Sequence, residues 1–167
     1  ENHETQNQFH KKVEEENGYI QESRIFMQNE KQMVEGKIKE FEKHIKNTKD
    51  EIENQKKTNA RNSGYFMQQL ATTDKTENGS VIYYSNAIEH FSKFPDFHDC
   101  HERVTDCIDA IVKFIASQDP EKKYPEELVI HLKRKIGTVF VFKDVNINER
   151  IKIIFSLLDK KTIPIGK

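Results

Sequence analysis

Tryptophan is absent from the chain, proline occurs four times, cysteine twice and glycine six times. The scarce glycines exclude whole classes of site. They never form GxGxxG or GxxxxGK[ST], so neither phosphate-cradling loop is present. No GxSxG nucleophile elbow and no CxxC pair occurs. His101-Glu102-Arg103-Val104-Thr105 opens like an HExxH zinc helix but lacks the second histidine, leaving one of the two helical ligands. No apolar run approaches the length of a membrane span, about 20 residues. Excess charge of one sign is also missing. Net charge is −1, without the basic surplus that phosphate backbones or anionic membranes attract.

The two cysteines, Cys100 and Cys107, lie seven residues apart on an expected helix. Two turns separate them by about 10 Å, beyond the roughly 7 Å Cα limit for a disulfide. They read as reduced, buried thiols, which points to an intracellular, cytoplasmic setting. His98, Asp99, Cys100, His101, Asp106 and Cys107 form the densest set of potential ligands. The cysteines share one helical face and the histidines another, so convergence on a metal is strained. No metal, cofactor or catalytic residue is expected. Asn78-Gly79-Ser80 fits a glycosylation acceptor, but an Asn-Gly turn accounts for it equally. The first residue is Glu, not Met, so the chain reads as an excised piece from which a targeting segment would be missing.

What the chain has in quantity is charge, at 33% of residues. Its apolar residues are unevenly spread, sparse over 1–62 and markedly denser from there to the end. That shift divides the chain into a rod over 1–62, a connector and loop over 63–80, and a globular domain over 81–167. Only the part beyond the rod is rich enough in apolar side chains to build a sizeable core. The expected fold is all-α, a long N-terminal coiled-coil helix followed by a small helical domain.

In the rod, Ile38, Ile45 and Ile52 take heptad position a, while Val13, Ile20, Met27, Val34 and Phe41 take d. Position a is polar in the first half (His10, Asn17, Arg24, Lys31), and d turns polar after Phe41 (Thr48, Gln55). Only Val34-Ile38-Phe41-Ile45 fills both. Such spacing places knobs against a facing helix, and about forty residues of it would reach about 60 Å. A helix this polar is marginal alone, because helical stability in proteins comes mostly from burying an apolar face. The rod therefore needs a second copy, another polypeptide or its own C-terminal part. Homodimerisation is the reading adopted, with Phe26 and Met33 widening the stripe. The helix is expected to pass through Gly36 but to break at Gly18, leaving residues 1–17 frayed or as a separate short helix.

Beyond the rod, Asn62 or Gly64 is expected to cap the helix. Tyr65, Phe66, Met67 and Leu70 would then dock on the domain, followed by a disordered loop over Ala71–Ser80. Helices are expected over Val81–Phe94 with Ser80 as cap, Asp96–Ser117, Pro125–Ile136, and Glu149–Lys160 capped by Asn146 or Asn148. The run Thr138–Phe142 suits a buried strand or a packed loop. Thr162–Lys167 should be extended.

The function these features imply is a non-enzymatic protein–protein interaction module of scaffold or adaptor type: an oligomerising coiled coil presenting a helical domain that binds another protein. Val139, Phe140, Val141 and Phe142, with Lys133 and Arg134, form the candidate partner surface. The alternative is a dimeric nucleic-acid-associated protein using the basic cluster His131, Lys133, Arg134 and Lys135, which a helix C-terminus also explains through its dipole.

Overall fold

The computed structural model describes residues 2–163 and is all-α, with no strand among them. Helices α1 (Asn2–Thr73), α2 (Gly79–Ser92), α3 (Cys100–Ser117) and α4 (Glu126–Ile136) come first. A 3-10 segment (Gly137–Phe142) and α5 (Val145–Lys160) follow. The chain divides into two compact units, Glu1–Ile52 and Glu53–Lys167.

The first unit is helix throughout its described residues. Gly18 does not break it and residues 2–17 are neither frayed nor separate, contrary to expectation. A glycine costs about 1 kcal/mol in a helix, which strong helix formers on both sides absorb. The division of units falls at Ile52, somewhat before the compositional shift.

The second unit carries the core. Its largest packing contact joins α2 to α3. The face of α3 follows helical spacing, with Cys100, Val104, Cys107, Ile108, Ile111 and Ile115 all buried. Val129, Leu132 and Ile136 of α4, and Ile147, Ile151, Ile154 and Leu158 of α5, repeat the pattern. Each such aliphatic side chain contributes roughly 1.5–3 kcal/mol on burial.

Helix α1 runs on through Asn62 and Gly64, neither of which caps it. Gly64 serves packing instead. It is buried, and a Cβ added there would meet Cε1 of Phe91 at 2.6 Å, with two more ring carbons at 2.7 Å. Tyr65 stands edge-on to the same Phe91 ring at 5.5 Å. The loop is correspondingly shorter than expected, with only Asp74–Asn78 lying between helices. The Asp74 carboxylate accepts the Thr76 amide (2.7 Å) and folds that turn. Ser80 is not a cap. Asn78 precedes the helix, while the Ser80 hydroxyl donates to the Ala71 carbonyl (2.8 Å) and ties α2 to the end of α1.

Further along, α3 begins at Cys100, later than expected, and α5 begins at Val145, earlier than expected. The cap of α5 is Asp144, not Asn146 or Asn148. Its carboxylate accepts the amides of Asn146 (2.9 Å) and Ile147 (3.2 Å) and adds a negative charge at the positive helix end. The run 138–142 is neither strand nor loop but lies in the 3-10 segment. Tyr124 is buried and exchanges backbone bonds with the start of the tail, donating to Lys161 O (2.7 Å) and accepting from the Ile163 amide (3.0 Å). The expected extension of Pro164–Lys167 lies outside the described residues.

The glycines give a paired prediction. Gly64→Ala is expected to destabilise the second unit by about 1–3 kcal/mol through overpacking, despite its gain in helix propensity. Gly36→Ala, where an added Cβ meets nothing within 4 Å, is expected to raise helix stability by up to about 1 kcal/mol. Chemical denaturation of the two variants, followed by circular dichroism, checks the opposite signs.

Candidate association interface

All eight seam residues lie in the first unit on regular helix, and every one is exposed. Exposure runs from 38% at Val13 to 70% at Met27. No seam residue is buried within the single chain. Together they form a stripe of large apolar side chains at regular helical spacing, unlike scattered single exposures.

The geometry of the stripe explains its change of register. A strict seven-residue repeat drifts by about 20° per heptad around a straight helix. From Val13 to Val34 that drift amounts to about 60°. The four-residue step from Val34 to Ile38 turns the stripe back by about 40°. Polar a in the first half and polar d in the second are thus one feature, a nearly straight apolar line along the helix. Phe9 falls on the same line four residues before Val13 and is also exposed, although heptad labelling had left it out.

A second, shorter stripe runs beside the first. Tyr19, Phe26 and Met33 recur every seven residues, each just before a seam residue, and all are exposed. One residue is about 100° of rotation, so this stripe widens the apolar face in the region where Phe26 and Met33 were expected to do so. Lys31 at position a is exposed and lies 3.9 Å from Glu35 of its own helix.

In the second unit, the structure separates the residues expected to form a partner surface. The 3-10 period of three turns Val139 and Phe142 inward together. Val139 is fully buried and therefore not a surface residue, a correction to the expectation. Phe142 is half-buried, its ring 5.0 Å from that of His101. Phe140 and Val141 remain exposed. The basic cluster is largely neutralised by residues remote in sequence. Lys133 pairs with Asp159 and sits 5.7 Å from the centre of the Phe155 ring. Lys135 pairs with Glu89 at 2.7 Å. Arg134 is exposed and has no carboxylate partner among the described residues.

The cysteines take no part in a reactive arrangement. Both are free and buried, and burial pushes the Cys107 thiol up to about 12. No group of three or more His, Cys, Asp or Glu is placed to hold a metal among the described residues. No described helix is long and apolar enough to cross a membrane.

The densest charged cluster is one that reading along the chain does not reveal, because its members come from two segments far apart in sequence. Asp99 accepts from Arg61 Nε at 2.7 Å, from the Tyr65 hydroxyl, and from Arg103 Nε at 3.1 Å. Both guanidiniums also lie 4.6 Å from the centre of the Tyr65 ring. The Arg61 guanidinium, helped by the Tyr65 hydroxyl and Arg103, holds the Asp99 carboxyl well below the usual carboxylate range against the opposing effect of burial. The cluster ties the last turns of α1 to the start of α3. Its local signature was only the helical spacing Arg61–Tyr65 and Asp99–Arg103, which gives no hint that the two pairs meet.

Because the folded-state pKa of Asp99 is depressed, its stabilising contribution is present above the unfolded value near 3.8 and is lost as pH falls through the lower folded value. Asp99→Asn is expected to cost about 1–2 kcal/mol near neutral pH, a modest figure because the cluster is partly open to solvent. Denaturation of both proteins across acid pH checks this, with the gap between them narrowing below about 3.8.

No family model, no curated protein and no solved structure matches the chain.

Proposed function

We propose that this chain is a non-enzymatic scaffold or adaptor module. Its N-terminal helix associates with a second copy of itself through the apolar stripe, and its helical domain binds another protein. The observation that carries this reading is the unbroken row Val13, Ile20, Met27, Val34, Ile38, Phe41, Ile45 and Ile52, exposed on continuous helix. A facing helix with the same row covers it with the same periodicity. The physical return is avidity, since two weakly binding domains on one dimer hold a divalent target far more tightly than either does alone.

The nucleic-acid alternative has little support, because Lys133 and Lys135 of its cluster are paired with carboxylates.

The test is a variant with Ile38→Asp, Phe41→Asp and Ile45→Asp together. Three carboxylates in the best-filled part of the seam are expected to yield a monomer of about 19.7 kDa by light scattering. The unaltered chain should show at least twice that mass. The near-ultraviolet spectrum of the tyrosines around the second unit's core should stay unchanged. Equal masses for variant and parent would overturn the seam as the association surface.

A further inference from the structure

The second unit has a groove of about 400 Å³ at the edge of its core, apart from the Asp99 cluster. Its floor is apolar: Val112, Ile115 and Ala116 from the last turns of α3, and Leu157 from α5. Pro120, in the loop that follows α3, contributes a wall. Lys123, Lys160 and Lys161 also line it, and none of them pairs with a carboxylate among the described residues. Lys123 Nζ donates to the Lys160 carbonyl (3.0 Å) and Lys161 Nζ to the Asp119 carbonyl (3.5 Å). These bonds leave most of the three N–H donors on each ammonium unused.

Two acidic groups near these lysines in sequence are engaged elsewhere, and Glu121, exposed two residues before Lys123, forms no ion pair with them. The Asp119 carboxylate accepts the Glu121 amide (2.9 Å), and Asp159 is held by Lys133. The groove therefore combines a greasy floor with three lysines that form no ion pair among the described residues. Its size falls in the range of ligand sites, roughly 300–1,000 Å³, but it is open along one side, which suits side chains projecting from a polypeptide.

We infer that this groove is the partner-binding face of the second unit. Its occupant is an amphipathic segment of another polypeptide, with apolar side chains on one face and Asp or Glu flanking them. This deepens the proposed function and rests on the reading of the second unit as a partner-binding domain. Phe140 and Val141, the exposed remainder of the surface expected from sequence, do not line this groove.

The test uses the full chain and a fluorescein-labelled synthetic peptide with Leu at helical i, i+3 and i+7 spacing and Glu between. A matched peptide carries Lys in place of Glu. Fluorescence anisotropy is expected to show binding of the acidic peptide that weakens as ionic strength rises past about 0.15 M, where the screening length is about 8 Å. Binding of the Lys peptide should be at least about tenfold weaker. Joint replacement Lys123→Glu, Lys160→Glu and Lys161→Glu is expected to reduce acidic-peptide affinity by about tenfold or more, one factor of ten being about 1.4 kcal/mol. So is Ala116→Arg, which fills the groove from an exposed site. The same charge change at exposed Lys75, Arg134 and Lys143 should leave binding unaltered. The proposal is overturned if the acidic peptide fails to bind at low salt, if the Lys peptide binds equally, or if groove and control variants behave alike. A monomeric parent chain that still binds the peptide would instead sink the seam and leave the groove standing.

Discussion

One constraint governs the first unit: a highly polar helix carries a row of large apolar side chains, with a shorter stripe beside it, that no described residue buries. Backbone hydrogen bonding gives a long helix regularity, but in water the margin from propensity alone is small. The row supplies the missing term only when another surface covers it. Each heptad then removes one or two large side chains from water, at roughly 25 cal/mol per Å² of apolar area. Under the proposed association, pairing and helix formation would be coupled in this unit.

The second unit solves the same problem within itself. Four short helices and a 3-10 turn place their apolar faces together, and α1 joins them through the close approach at Gly64 and the charged cluster at Asp99. The first is steric and absolute, since the Phe91 ring occupies the space where a side chain would begin. The second is electrostatic and tunable, since protonating one carboxylate loosens three contacts. Together they give the final turns of α1 a defined seat, whatever the seam does in the first unit.

The helical architecture was legible because periodicity reports burial directly. Helices lie close to where spacing placed them, their buried faces in α3, α4 and α5 follow that spacing, and Gly36 is passed through as expected. Boundaries were less legible. Gly18 and the Asn62–Gly64 stretch resemble stops, but one sits among strong helix formers and the other faces an aromatic ring. Residues 138–142 carry strand propensity, yet a short run without a partner strand has no ladder to join, and a 3-10 turn buries Val139 instead. The cap of α5 fell to Asp144, because a carboxylate there reaches two amides and a histidine besides. The exposed apolar row could be named from sequence, since it needs only local spacing. The groove and the Asp99 cluster could not, because each forms only when distant elements meet.

Sedimentation equilibrium of the unaltered chain over a wide concentration range distinguishes a paired helix from a lone one. An integer multiple of 19.7 kDa, at least two, is expected, with ellipticity of the first unit falling as dilution separates the copies. A mass of 19.7 kDa at every concentration, with α1 still fully helical, would contradict the proposed pairing.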